Sequence, residues 1–192
     1  MNAAELRARV ARGADLHTEF KLWPVGPGEL AEVLVAFANT DGGQLFLGIA
    51  DDRRIAGVDD PDTVTRGVDD AALNNCDPPV TVVQEVLLPE EADGAAVVVV
   101  NVPKGTMRPY KTQRGDHFYV KTSSGRRRAS REELLRLFQA GSGIRRIVRL
   151  VRQATGRDIE LQAGPEHFEV VLTIPRPASS GTNGPSGEYG QT

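Results

Sequence analysis

The stretch of residues 29–52 constrains the fold of this chain more than any other part of its sequence. Apolar residues recur at i, i+4 and i+7 over residues 29–39, which predicts a helix with one apolar face. Residues 39–43 read Asn-Thr-Asp-Gly-Gly, and these residue types accept the positive φ that ends a helix in a sharp turn. Residues 44–50 are apolar on both faces, which predicts a central strand covered on both sides.

Hydrophobic periodicity elsewhere predicts further short helices and strands. Short loops between several strands favour antiparallel pairing, so the predicted fold class is α+β, with a mixed, mostly antiparallel sheet and packed helices. Residues 123–128 are predicted as a basic turn. The other predicted helices cover 3–12, 61–74, 131–139 and 144–152, and the other predicted strands cover 17–23, 55–58, 80–88, 95–102, 117–122, 159–162 and 167–174.

The chain divides into three predicted regions. Residues 1–140 hold most of the predicted helices and strands and are predicted to form one domain. Residues 141–175 are predicted as a helix and β-hairpin extension, which can equally be a cap on the first domain. Residues 176–192 consist largely of Pro, Ser, Gly, Asn and Thr, so a disordered tail is predicted there.

Composition excludes some protein classes. No apolar run approaches the roughly 18 residues needed to cross a bilayer, and the first residues have no apolar signal core. The chain has one cysteine, Cys76, which cannot form an internal disulfide and fits a reducing compartment. We therefore expect a cytoplasmic protein without a membrane partner.

Charge is segregated along the chain, although the net charge is only −3. Residues 104–152 contain fourteen basic and three acidic residues, a net charge of +11. The remaining residues contain nine basic and 23 acidic ones, a net charge of −14. Such asymmetry predicts binding of a polyanion, unless the basic side chains pair with the acidic part of the chain or spread over the surface.

Glu19 and Lys21 are predicted to lie on one face of a strand, because alternate residues of a strand share a face. With Asp51 at the end of the next strand, they are candidate catalytic residues of a metal-dependent nuclease. Glu19 and Asp51 would hold Mg²⁺ or Mn²⁺, and Lys21 would stabilise charge on the phosphate. The alternatives are a surface salt bridge between Glu19 and Lys21, and a simple turn at Asp51. No other cofactor is implied.

The basic run at residues 123–128 is a candidate phosphate-binding loop. Contacts of arginine with the phosphate backbone are largely independent of sequence and sensitive to salt. A solvated turn is the alternative. The predicted nucleic-acid contacts are Lys104, Arg108, Lys121, Arg126, Arg127 and Arg128.

The order of several short motifs resembles the Schlafen AlbA domain over about residues 13–138. The resemblance implies a nucleic-acid-binding domain. It rests on Glu-Phe-Lys at 19–21, Ala-Phe-Ala-Asn-Thr-Asp-Gly-Gly at 36–43, Gly-Ile-Ala-Asp at 48–51, Ile-Ala-Gly at 55–57, Tyr-Val-Lys at 119–121 and Ala-Ser-Arg-Glu-Glu-Leu at 129–134.

The resemblance leaves open whether the chain is an enzyme. Schlafen relatives with endoribonuclease activity use two glutamates five residues apart and a later aspartate. The second glutamate and the aspartate match Glu19 and Asp51, but the first glutamate falls at Ala14, and Asp15 is one position out of register. Loss of one of three carboxylates is expected to weaken metal binding.

A weaker resemblance covers residues 141–174, which are similar to the end of the GHKL-type ATPase module that follows this domain in bacterial proteins. Most of that module is absent, so ATP binding is not predicted. A protein of this kind could still carry the name "ATP-binding", because longer relatives contain the whole module.

The leading hypothesis is a DNA- or RNA-binding domain of bacterial type, serving transcription regulation or defence. The rivals are a metal-dependent endoribonuclease using Glu19, Asp51 and Asp15, and a protein-interaction module. The latter would form homo-oligomers through an apolar strand edge and the arginine-bearing face of the helix predicted at 144–152.

Overall fold

The computed structural model of the protein describes residues 1–140, Arg149, Arg152, Gln153, Gly156, and the backbone of two short strands at 160–163 and 168–171. No helix among these residues is both long and apolar enough to span a bilayer. The helices are α1 Ala3–Arg12, α2 Pro27–Asn39, α3 Pro61–Asn74 and α4 Arg131–Ala140, with a 3₁₀ turn at Glu90–Ala92. The strands are β1 Thr18–Lys21, β2 Gly43–Leu47, β3 Cys76–Asp77, β4 Val83–Leu87, β5 Val97–Val102, β6 Lys111–Thr112, β7 Tyr119–Thr122, β8 Gly125–Arg128, β9 Glu160–Ala163 and β10 Phe168–Val171.

A four-stranded sheet with the order β1-β2-β5-β4 forms the centre of the fold. Strands β1 and β2 are parallel and joined through α2, whereas β5 is antiparallel to both β2 and β4. The pairs β3–β6, β7–β8 and β9–β10 form separate antiparallel ribbons. The predicted α+β class, with a mixed and mostly antiparallel sheet, is confirmed.

Helices cover both faces of this sheet, because β2 has apolar side chains on each face. Leu45 and Leu47 face the core formed with α2 and α3, and Phe46 faces a second core formed with Leu6 and Val10 of α1. The three β2 side chains are all fully buried. The predicted central strand, covered on both sides, is confirmed, although it ends at Leu47 rather than residue 50.

Helix starts follow the local sequence. Asn2 accepts a hydrogen bond from the Glu5 backbone while the Glu5 side chain accepts one from the Asn2 backbone, which completes a capping box at α1. A capping box of Ser130 and Glu133 is present at the start of α4. At α3 the cap is one-sided, because the Asp60 side chain accepts hydrogen bonds from the Thr63 backbone N–H and hydroxyl group.

Two predictions of local structure are wrong. Residues 55–58 make only isolated bridges, Ile55 to Ile49 and Val58 to Ala96, since Gly48 has a φ of 103° and turns the chain out of β2. The arginine run is not a loop: Gly125–Arg128 is strand β8, which pairs with β7 in a tight hairpin.

The C-terminal predictions are only partly covered by the described residues. Strands β9 and β10 lie where a hairpin is predicted. Most of the predicted helix at 144–152 and the predicted tail at 176–192 lie outside the described residues, so the domain division and the resemblance to an ATPase module stay predictions.

Candidate nucleic-acid interface

An open cleft of about 380 Å³ lies where β1 and the turn after β2 meet the β7–β8 hairpin. We call it the β1 cleft. It brings together Glu19, Lys21 and Asp51, the three candidate catalytic residues, because the parallel strands β1 and β2 place them at one end of the sheet. Its lining is completed by Ala14, Phe20, Arg53, Ser123, Ser124 and Gly125.

The carboxylate of Glu19 forms a buried ion pair at the base of the β1 cleft. The Nζ atom of Lys121 lies 2.9 Å from Glu19 Oε2, and the exposed fractions of the two side chains are 1% and 11%. Lys121 Nζ also donates to the carbonyl oxygens of Asp15 and Thr122 at 3.0 and 3.4 Å, and lies 5.6 Å from the centroid of the Phe37 ring. The ammonium group of Lys121 is therefore enclosed within the fold, whereas the sequence analysis predicts it as a phosphate contact.

Lys21 makes a second ion pair of the β1 cleft. Its Nζ atom lies 2.8 Å from Glu29 Oε1 and 4.0 Å from Glu19 Oε1. The hydrogen bond from Lys21 lowers the pKa of Glu29, so the Glu29 carboxylate stays charged at neutral pH. The positive charge of Lys21 is thus already compensated within the fold.

The β1 cleft does not fit the divalent metal ion that the resemblance implies. Ala14 lines the cleft but supplies no donor, and the Asp15 carboxylate accepts a hydrogen bond of 2.8 Å from the His17 backbone N–H. Glu19 is already paired with a lysine. Within the described part of the chain, no three His, Cys, Asp or Glu side chains are grouped so that they could hold a metal ion. We therefore derive no chemical step through a metal.

Most predicted phosphate contacts are paired with carboxylates. Arg126 binds Glu32 through Nε at 3.0 Å and Nη2 at 2.8 Å. Arg127 binds both oxygens of Glu133 at 2.7 and 2.8 Å, and these hydrogen bonds lower the pKa of Glu133 to about 2. Lys104 lies 2.7 Å from Asp41. These three described cations are therefore compensated and do not contribute free charge to the surface.

Several arginines form no ion pair among the described residues, and three of these arginines either line the β1 cleft or are predicted phosphate contacts. Arg128 is exposed, with Nη2 at 2.6 Å from His117 Nε2, and Arg108 is half-buried. Arg53, which the sequence reasoning missed, lines the β1 cleft and donates to the Ala11 carbonyl at 3.0 Å. Its position in the turn directly after Asp51 is the signal that could have found it.

The motif Ala-Phe-Ala-Asn-Thr-Asp-Gly-Gly at 36–43 has a structural role, which Asn39 and Thr40 carry. Asn39 is 2% exposed, and its side chain bonds the Tyr110 carbonyl, the Tyr119 carbonyl and the Tyr110 N–H at 2.8, 2.9 and 2.7 Å. The Thr40 hydroxyl accepts a hydrogen bond from the Lys121 N–H. The end of α2 therefore holds β7 in place, and with it the hairpin beside the β1 cleft.

Gly42 and Gly43 are required by close packing rather than by a ligand. A Cβ at Gly42, which has a φ of 77°, would lie 2.6 Å from the Val102 carbonyl oxygen. A Cβ at Gly43 would lie 2.3 Å from the Phe37 ring and 2.7 Å from the His17 carbonyl oxygen. Larger residues at either position would displace α2 or β5.

Comparison with known proteins identifies a family and several similar solved structures. A family model described as Schlafen, AlbA_2 matches residues 15–130. The crystal structure of the DIP2311 protein from Corynebacterium diphtheriae is similar with a TM-score of 0.49 and 24% sequence identity. The similarity covers 73% of this chain and 28% of that chain, so this chain spans well under half the length of that protein. No curated protein matches significantly.

Proposed function

Because the chain belongs to the Schlafen AlbA_2 family, whose domains are nucleic-acid related, we propose that it binds DNA or RNA through the phosphate backbone without cleaving it. The observation that carries this proposal is the position of two exposed guanidinium groups that lack carboxylate partners among the described residues: Arg53 lines the β1 cleft, and Arg128 lies on the β7–β8 hairpin whose turn lines the same cleft. Guanidinium groups match the geometry of phosphate oxygens and pair with them bidentately.

The lining of the β1 cleft supports phosphate contacts of low sequence preference. Ser123 and Ser124 supply hydroxyl groups in the hairpin turn, next to Arg53. Hydroxyl and guanidinium contacts to phosphate position a nucleic acid but do not read its bases. The proposal therefore includes binding without strong sequence preference. The cytoplasmic location and a role in transcription regulation or defence belong to the same proposal.

Cleavage is left out of the proposal because no three His, Cys, Asp or Glu side chains of the described residues are grouped to hold a metal ion. Glu19, Lys21 and Asp51 share the β1 cleft, but Lys121 and Glu29 pair with the first two. The other groups of the β1 cleft can position a nucleic acid, so the proposal covers binding without cleavage.

Replacing Arg53 or Arg128 with glutamine is expected to weaken binding of a labelled single-stranded or duplex oligonucleotide. An exposed ion pair is worth about 1 kcal/mol, so each change should lower the affinity about fivefold and the double variant about 25-fold. Fluorescence anisotropy at low salt measures this for DNA and RNA.

The matched control is Arg66→Gln on α3, which removes an equally exposed arginine that has no carboxylate partner among the described residues. Its affinity should stay within about twofold of the parent. A parent protein that binds no oligonucleotide, or an Arg66 variant as weak as the Arg53 variant, would refute the proposal.

A further inference from the structure

A second cleft, of about 280 Å³, lies between the end of α2, β7 and α4. We call it the α4 cleft. It is separate from the β1 cleft, and Lys121 connects the two, because it lines the α4 cleft while its ammonium group binds Glu19. The lining residues are Asn39, Thr40, Arg108, Val120, Lys121, Glu133, Arg136, Leu137 and Ala140.

Most polar groups of the α4 cleft already have partners within the fold. The Asn39 amide bonds three backbone groups, and the Thr40 hydroxyl bonds the Ala36 carbonyl and the Lys121 N–H. Both oxygens of Glu133 accept hydrogen bonds from Arg127, so its negative charge is compensated. These groups shape the cleft, and its remaining charge comes from two arginines, Arg108 and Arg136.

Arg108 carries a hydrogen-bond donor with no acceptor. Its Nε atom is buried and has no hydrogen-bond partner. Buried polar groups in folded proteins nearly always bond to protein, water or an ion, so an unpaired buried N–H that belongs to a cleft residue indicates a missing acceptor. No carboxylate of the described residues forms an ion pair with Arg108.

Arg136 adds a second guanidinium group to the same cleft. Its one ion pair among the described residues is with Glu132, one turn earlier on α4, at 3.7 Å, and the two side chains are 76% and 83% exposed. Exposed pairs of this kind are weak, so Arg136 can turn towards a ligand at little cost. The α4 cleft thus offers two available positive charges and one compensated negative charge.

We infer that the α4 cleft binds a single phosphate group through the guanidinium groups of Arg108 and Arg136. Guanidinium donors match phosphate oxygens in spacing and plane, and two of them around one cleft favour a doubly charged tetrahedral anion. The phosphate can be the terminal or backbone phosphate of a nucleic acid, or free phosphate. Only the assignment to a nucleic acid rests on the proposed function.

Nuclear magnetic resonance of the arginine Nε–Hε groups tests the site directly. The probes are inorganic phosphate, a short oligonucleotide with a 5′-phosphate and the same oligonucleotide without it, each compared with chloride at equal ionic strength. The Arg108 Nε–Hε signal should shift with inorganic phosphate. In the Arg136→Gln variant, the phosphate concentration needed for half of that shift should rise about fivefold, whereas Arg66→Gln should leave it unchanged.

The oligonucleotides identify the source of the phosphate. A shift with the 5′-phosphorylated oligonucleotide alone indicates a terminal phosphate, a shift with both indicates the backbone, and a shift with neither leaves free phosphate as the ligand. An Arg108 signal that responds to none of the three probes, or that shifts equally in chloride, overturns the inference.

Anisotropy on the same samples separates this inference from the proposed function. Oligonucleotide binding without any response of Arg108 to the three probes refutes the phosphate site and leaves the proposed function standing. A response to inorganic phosphate without oligonucleotide binding supports the phosphate site and refutes the proposed function.

Discussion

Replacing Asn39 with alanine is expected to lower the free energy of unfolding by about 4 kcal/mol. Two buried backbone groups and one partly buried group lose their partner at about 1–3 kcal/mol each, with incomplete additivity. The groups are the N–H and carbonyl of Tyr110 and the carbonyl of Tyr119. Loss of these bonds also releases β7 from the end of α2. Urea denaturation followed by circular dichroism measures the change.

Asn74→Ala is the matched control for this prediction. Asn74 is exposed at the end of α3, and its amide bonds the Asp70 side chain at 2.8 Å. Its loss is expected to cost less than about 0.5 kcal/mol. If the Asn39 and Asn74 variants were destabilised equally, Asn39 would not hold β7 as the structure indicates.

Replacing Glu19 with glutamine is expected to lower the free energy of unfolding by about 3–5 kcal/mol, because it leaves the enclosed ammonium group of Lys121 without its counter-charge. Adding Lys121→Met to that variant should restore part of the stability, since the unpaired charge is then removed. A double-mutant cycle measures the coupling between the two side chains, which we expect to exceed about 1 kcal/mol.

Asp41→Asn is the control for the ion pair, because the Asp41–Lys104 pair has a similar distance of 2.7 Å but side chains that are 54% and 50% exposed. Its cost should be below about 1 kcal/mol. A Glu19 variant no less stable than the Asp41 variant would show that Lys121 does not engage Glu19, and the argument against a metal ion would fail. Any loss of oligonucleotide binding in a Glu19 variant must therefore be compared with its loss of stability.

The sequence was sufficient for the central strand and for the grouping of Glu19, Lys21 and Asp51. Apolar residues on both faces of β2 require cover on both sides, and the structure supplies it with α1 on one face and α2 and α3 on the other. Alternation along β1 places Glu19 and Lys21 on one face, and both line the β1 cleft with Asp51.

The sequence was not sufficient for the arginine run, because its partners are remote. Glu32 lies 94 residues before Arg126, and no local pattern connects them. Three successive arginines resemble a solvated turn, yet pairing with β7 makes them a strand. Burial of Lys121 was equally invisible, since lysine is almost never buried unless a partner such as Glu19 is brought to it by the fold.

The salt dependence of oligonucleotide binding tests the central claim that a few uncompensated arginines hold the phosphate backbone. Each neutralised phosphate of duplex DNA contributes about −0.9 to the slope of log Kobs against log salt concentration, so contacts from Arg53, Arg108 and Arg128 predict a slope of about −2.7. Six contacts, one from each residue that the sequence analysis predicts to bind phosphate, would give about −5.4. We predict a slope between about −2 and −4. A slope near zero, or no binding at the lowest salt concentration, would contradict the claim.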